Sequence, residues 1–147
     1  MNKYELNRYA VTLMEKAFQE QGFIIEKSPA SVGQVNFHAV SSKGRTLKIK
    51  VRSISQRGSY IFVEKTKFNV KDPDLFMAVL YLPYDKEEWI IYLVPAAEWA
   101  NDIYPFKGKD YNKPGQVSAP EWGISFSDKA KYAMEPYRFA NIIANYA

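Results

Sequence analysis

The chain has 147 residues, a length that suits one domain with its own hydrophobic core. It contains no cysteine and a single histidine, which excludes disulfides, thiolate metal sites and zinc sites built from several imidazoles. The formal net charge is only +4, no apolar run is long enough to span a membrane, and the N-terminus lacks an apolar signal segment, so we expect a cytoplasmic protein without a membrane partner.

The first predicted element is an amphipathic helix over Tyr4–Gln21, because its apolar residues recur at helical spacing. Gly22 stands where a helix commonly ends. Phe23–Lys27 is then predicted to begin the sheet, and a break at residues 28–30 leads into the next element.

The next predicted element is a hairpin over Gln34–Ser53, turning at residues 42–44. Apolar residues alternate with polar ones on both arms, so each arm has one face for the core. The polar face of the second arm carries three cations and no carboxylate. If the two arms pair antiparallel, Gln34, Asn36 and His38 of the first arm lie on the same face as these cations. These cations are Lys48, Lys50 and Arg52.

The rest of the chain alternates between apolar strand patterns and turn signals, which predicts one α/β domain with a mixed central sheet, the hairpin near its centre and helices flanking it. Leu75–Leu82 is almost continuously apolar, as in a strand buried on both faces. Residues 101–119 are predicted to be irregular. The other predictions are strands at Ser59–Val63, Trp89–Val94 and Trp122–Phe126, a short helix at Pro95–Asn101, a helix at Lys129–Glu135 capped by Asp128, and a terminal helix at Phe139–Tyr146.

Charge is distributed unevenly along the chain. Residues 43–71 hold nine Lys or Arg and one acid, Glu64, so this segment carries +8 and the remainder −4. Such a segment is typical of a protein that meets a phosphate-bearing partner. The alternative is that these charges only solubilise the fold or protect an edge strand.

The hairpin resembles the active-site core of the PD-(D/E)xK nuclease superfamily, also called restriction endonuclease-like. In that superfamily an Asp ends one strand, and a run such as Ile-Gln-Val-Lys ends the next. Here Ile49-Lys50-Val51-Arg52 matches the run, and Asn36 lies where the Asp is expected. Residues 59–63, 72–76, 91–95 and 120–125 look like segments of uncharacterised bacterial nuclease-fold proteins. The resemblance therefore implies motif-equivalent positions at Asn36, Lys48, Lys50 and Arg52.

The chemistry of these positions departs from the superfamily. Mg²⁺ prefers anionic oxygen ligands. The alignment above offers Asn36, Lys50 and Arg52, and an alignment shifted by two residues offers Asn36, Lys48 and Lys50, so neither supplies a carboxylate. We therefore expect a degenerate active site that binds no metal or other cofactor. The alternative is a divergent Mg²⁺-dependent endonuclease that takes its acid from Glu5, Glu15 or Glu26.

The favoured function is nucleic-acid binding, to DNA or RNA, through a basic strand face without catalysis. A protein-interaction or structural module, and a homodimer, stay open. Aromatic and lysine residues between Asn101 and Ala119 would stack bases or, as the favoured interpretation, hold the segment to the core. The predicted nucleic-acid-binding residues are Lys48, Lys50, Arg52, Lys65 and Lys67.

Overall fold

The computed structural model describes residues 2–27, 35–55, 60–82 and 88–147. Its strands are β1 (Ile24–Lys27), β2 (Phe37–Val40), β3 (Thr46–Ile54), β4 (Tyr60–Glu64), β5 (Leu75–Tyr81), β6 (Ile90–Pro95), β7 (Phe106–Lys109) and β8 (Glu121–Ser125). The α-helices are α1 (Lys3–Glu20), α2 (Asp128–Met134) and α3 (Phe139–Ile142), with 3-10 turns at 65–67, 96–101, 135–137 and 143–145. Among the described residues, no helix is both long and apolar enough to cross a membrane.

The larger sheet has five strands in the order β1-β2-β3-β5-β6. Strand β3 runs parallel to β5, while the other neighbours are antiparallel, so the sheet is mixed. Strands β2 and β3 pair with Phe37 opposite Ile49 and His38 opposite Lys48. The predicted hairpin and its place at the centre of a mixed sheet are therefore confirmed for residues 35–55, whereas Gln34 lies outside the described residues.

Helix α1 covers one face of the larger sheet. Asn2 caps it, because its side-chain oxygen accepts a hydrogen bond from the Glu5 backbone N–H. Ala10, Met14 and Phe18 are fully buried and form one core with the apolar face of β3. The prediction of an amphipathic helix is confirmed to within one residue at each end.

A second sheet, in the order β4-β8-β7, covers the opposite face. Here Ile61 and Val63 of β4 share a second core with residues of β5 and β6. Strand β5 is consequently buried at all seven positions, as its continuous apolar run predicts. The strands β4 and β8 were predicted, but their separation into a second sheet was not. Val35, expected on the apolar face of the hairpin, packs instead against this second core.

Strand β7 corrects the expectation that residues 101–119 are irregular throughout. Its four residues, Phe-Lys-Gly-Lys, contain one apolar side chain, too few to establish an alternating pattern. Phe106 is nevertheless buried at 2% exposure. Gly108 is needed beside the Trp122 ring, because a Cβ at this position would lie 2.7 Å from a ring carbon.

The C-terminal third differs from its prediction in detail. Ser127, not Asp128, caps α2, since the Ser127 hydroxyl accepts from the Ala130 N–H. The short helix after Pro95 is a 3-10 turn, and the terminal helix stops at Ile142 before another such turn. The predicted break at residues 28–30 lies outside the described residues.

Candidate anion-binding cleft

Strand β3 presents its cations on the face opposite α1. Leu47, Ile49 and Val51 are fully buried in the core beneath α1, whereas the alternate residues are half-buried on the other face. Asn36, at the start of this hairpin, donates its N–H to the Ile49 carbonyl at 2.8 Å. Its side-chain oxygen accepts from the Val51 N–H at 2.7 Å. Asn36 therefore extends the pairing of the two strands.

Lys48 is neutralised by an acid that the hairpin does not contain. Its ammonium donates to Asp72 Oδ2 at 2.8 Å, and Asp72 lies in the turn before β5. The hydrogen bond from Lys48 to Asp72 raises the pKa of the Lys48 ammonium, although burial opposes it. Burial alone would raise the pKa of Asp72, but hydrogen bonds from Lys48 and the Asp74 N–H lower it. A carboxylate from outside the hairpin therefore lies against this face at Lys48.

Lys50, two residues further along the same face, has no such partner. Among the described residues it makes neither a hydrogen bond nor an ion pair. The parallel register places it beside Met77, which is fully buried. Burial, followed by the nearby charges of Arg52 and Lys67, lowers the pKa of the Lys50 ammonium to about 8.

Arg52 connects β3 to the second sheet. Its Nε donates to the Phe62 carbonyl of β4 at 3.0 Å, and its Nη1 donates to the Val51 carbonyl at 3.1 Å. Burial lowers the pKa of the guanidinium, yet an arginine retains its charge at neutral pH. Within the described part of the chain, no carboxylate pairs with Arg52.

A cleft of about 490 Å³ opens between the N-terminal end of α1, the second half of β3, and β4. This volume is in the range of small-ligand sites. The described residues that line it include four cations and a single carboxylate, Glu64, which lies 3.6 Å from the Lys67 ammonium. The four cations are Lys3, Lys50, Arg52 and Lys67.

An aromatic wall forms one side of the cleft. Phe62 is 49% exposed, and its ring stacks on Tyr60 at a centroid distance of 6.1 Å and an interplanar angle of 15°. Burial, followed by the neighbouring Glu121, raises the pKa of the Tyr60 hydroxyl. The Tyr60 side chain packs against Gly123, where an added Cβ would collide with the ring.

The predicted nucleic-acid-binding residues therefore divide into two groups. Lys50, Arg52 and Lys67 line the cleft. Lys48 is held by Asp72, and Lys65 by Asp110 at 2.6 Å, with its ammonium 4.0 Å from the centre of the Trp122 ring. Neither of these two lysines lines the cleft.

Among the residues of the cleft that sequence reasoning missed are Phe62 and Lys3. Phe62 could have been found, because it alternates with Ile61 and Val63 and must face away from the core that they form. Lys3 gives no signal in the sequence, since its place depends on how α1 packs against the sheet.

The aromatic residues between Asn101 and Ala119 hold their segment to the core. Phe106 packs edge-on against Trp99, with ring centroids 5.1 Å apart. The Tyr111 hydroxyl donates to Glu121 at 2.8 Å, and the hydroxyls of Tyr104 and Ser127 are hydrogen-bonded at 2.6 Å. These contacts support the favoured structural interpretation over base stacking in this segment.

The residues around Asn36 do not fit a Mg²⁺ site. The described residues contain no group of three or more His, Cys, Asp or Glu arranged to hold a metal. The Asn36 oxygen is already engaged by the Val51 N–H. The three glutamates considered as replacement acids lie elsewhere: Glu15 binds Lys27 at 2.6 Å, Glu5 accepts from Asn2, and Glu26 faces His38 in the strand register.

Comparison with family models and with curated proteins yields no match. The resemblance to the nuclease superfamily therefore depends on the motif-like run in β3 and the segments that follow it.

Proposed function

We propose that this chain is a nuclease-fold protein that binds nucleic acid in the cleft beside β4, without the metal-dependent catalysis of the superfamily it resembles. The observation that carries this proposal is the Lys50 ammonium, half-buried in the cleft and without a protein partner among the described residues. A buried charge that lacks a partner is costly, so an anionic ligand would relieve the cost.

Phosphate is the anion that best suits these side chains. Among the described residues that line the cleft, four cations and one carboxylate leave a formal excess of +3. Arg52 has further N–H groups beyond those that bind carbonyl oxygens, since a guanidinium carries five donors. Charge-assisted hydrogen bonds from such donors to phosphate oxygens are among the stronger polar contacts in proteins.

The aromatic wall favours a nucleic acid over a lone phosphate. An exposed aromatic ring beside a row of cations is the arrangement by which proteins bind single strands, with bases stacked on rings and phosphates on cations. Phe62 offers its ring in the same cleft as Lys50 and Lys67. A single-stranded segment is therefore the preferred ligand.

The other functions considered from the sequence receive less support. A Mg²⁺-dependent endonuclease would need several carboxylates at the reacting phosphate, whereas Glu64 is the lone acid among the described residues that line the cleft, and Lys67 lies beside it. For a protein-interaction module, no described feature identifies a partner.

The test is the salt dependence of binding to a fluorescent single-stranded oligonucleotide, followed by anisotropy. If three side chains neutralise phosphates, log affinity should fall against log salt with a slope of about −2, because each contact on a single strand contributes about −0.7. Lys50→Met should flatten the slope by about 0.7 and weaken different sequences alike.

Lys48→Met is the matched control. It removes the same charge from the same face of β3, but from a lysine that Asp72 already neutralises. Its salt slope should stay close to that of the unaltered protein. Equal slopes for all three proteins, or no binding at low salt, would contradict the proposed function.

A further inference from the structure

We infer that Lys50 is a nucleophile that forms an imine with an aldehyde carried on a phosphate-bearing ligand. Two sources share this chemistry: the opened deoxyribose of an abasic site in a nucleic-acid strand, and a small sugar phosphate. The first source rests on the proposed function, whereas the second does not.

The position of the Lys50 amine carries the inference. Attack on a carbonyl requires an amine that is free of strong partners and opens onto a space that admits the ligand. Lys50 satisfies both conditions among the described residues, since it has no hydrogen bond or ion pair and lines the cleft. Lys48 and Lys65 would each first have to leave a carboxylate, at 2.8 Å and 2.6 Å respectively.

The neighbouring cations can orient the ligand by binding its phosphate. Arg52 and Lys67 lie in the same cleft and can hold a phosphate close to Lys50. Arg52 cannot compete as a nucleophile because its guanidinium stays protonated. Holding the phosphate would keep the aldehyde near the amine, which raises the rate of attack.

The protonation state of Lys50 supports the same role. With a pKa of about 8, about a tenth of this amine is neutral at pH 7. An ordinary lysine, with a pKa near 10.4, has roughly 0.04% neutral amine, so the neutral population of Lys50 is larger by about 200-fold. The other charged groups that line the cleft, among the residues that the structure describes, are Lys3, Arg52, Lys67 and Glu64.

The reaction needs no oxidant or reductant. The neutral Nζ attacks the carbonyl carbon, a C–N bond forms, and the carbonyl oxygen takes up a proton to become a hydroxyl. The nitrogen loses its proton, and the carbinolamine then expels water to leave the imine. In the test, cyanoborohydride is the added reductant: it delivers a hydride to the imine carbon and converts the linkage to a stable secondary amine.

The test is reductive trapping at pH 7. One arm uses a labelled single-stranded oligonucleotide with one abasic site, and the other uses glyceraldehyde 3-phosphate. We expect an adduct that mass spectrometry maps to Lys50, formed at least tenfold faster than at any other lysine. Its rate should rise with pH and level off once the pH is well above the pKa of the amine, where most of the amine is neutral.

Two variants separate nucleophilicity from charge and from folding. Lys50→Arg keeps a cation in the cleft but has no nucleophilic amine, so it should lose the adduct. Lys48→Met keeps the Lys50 amine and should still be trapped. Circular dichroism and melting temperature establish that each variant is folded.

The outcomes distinguish the two proposals. Oligonucleotide binding without any adduct in either arm, or adducts spread evenly over the lysines, would overturn the inference and leave the proposed function standing. An adduct at Lys50 with the small aldehyde but no oligonucleotide binding would uphold the inference and overturn nucleic-acid binding. An adduct at Lys50 in both arms supports both proposals.

Discussion

Lys48 and Lys50 stand two residues apart on one face of one strand, yet they have opposite surroundings. The ammonium of Lys48 meets the Asp72 carboxylate at 2.8 Å, and its pKa rises. The ammonium of Lys50 has no such partner among the described residues, and burial together with the nearby charges of Arg52 and Lys67 lowers its pKa to about 8. The strand is the same at both positions, so the difference comes from the segments that cross over it.

This contrast shows why a count of charges overstates the basic surface. The segment 43–71 carries +8 in the sequence, but several of its cations have carboxylate partners in the fold. The anion site is therefore marked first by Lys50 and Arg52, which have no carboxylate partner among the described residues, and Lys67 joins them although Glu64 lies 3.6 Å away. The paired cations are Arg45 with Asp74, Lys48 with Asp72, Lys65 with Asp110 and Lys67 with Glu64.

The largest effect on stability should follow from the third cation of this face. Arg52→Met removes the hydrogen bond to the Phe62 carbonyl and leaves that backbone oxygen short of a partner. We expect the free energy of unfolding to fall by about 2 kcal/mol, because the lost bond involves a charged donor. Urea denaturation measures it. A loss no larger than that of Lys48→Met would show that Arg52 does not join the two sheets.

Lys50→Met should change the free energy of unfolding in the opposite direction and stabilise the protein. A folded-state pKa lowered to about 8 means that the charged amine destabilises the native state below pH 8. Removing it should raise the free energy of unfolding at pH 7 by about 1–2 kcal/mol, after allowance for partial exposure. The gain should shrink as the pH rises from about 8 to 10.5. Destabilisation at pH 7 would indicate a protein partner for Lys50.

Of the three substitutions, Lys48→Met should change the free energy of unfolding least. Its ion pair is partly exposed, with side-chain exposures of 44% and 20% for Lys48 and Asp72, so the loss should be about 0.5–1 kcal/mol. Because the pKa of Asp72 is lowered in the fold, this contribution exists above its ordinary value of 3.8. It should vanish as acid protonates the carboxylate. Thermal melts at pH 7 and pH 2.5 test this, and an equal loss at both pH values would contradict the pairing.

The sequence predicts those elements whose periodicity is strong. Helix α1, the hairpin and the buried strand β5 each follow from regular spacing of apolar residues over many positions. Strand β7 has one apolar residue and could not be recognised in this way.

The different environments of Lys48 and Lys50 on β3 could not be predicted from the sequence, for a different reason. Lys48 and Asp72 are 24 residues apart, and their contact depends on the crossover from β3 to β5. The isolation of Lys50 depends on the second sheet, whose separation from the first is not encoded in any local pattern. Alternation along β3 predicts which residues share a face, but it does not predict what covers them.

The central claim, that Lys50 and not Lys48 is the anion-binding lysine of this face, is tested most directly by NMR titration of the lysine side chains. The ¹³Cε and ¹Hε resonances, assigned through Lys48→Met and Lys50→Met, report the pKa of each amine with and without a single-stranded oligonucleotide. In the free protein, Lys50 should titrate near pH 8 and Lys48 above 10.5. The oligonucleotide should raise the pKa of Lys50, because phosphate favours the charged amine, and leave that of Lys48 unchanged. Two amines that both titrate above pH 10, or an oligonucleotide that shifts Lys48 and not Lys50, would contradict the account.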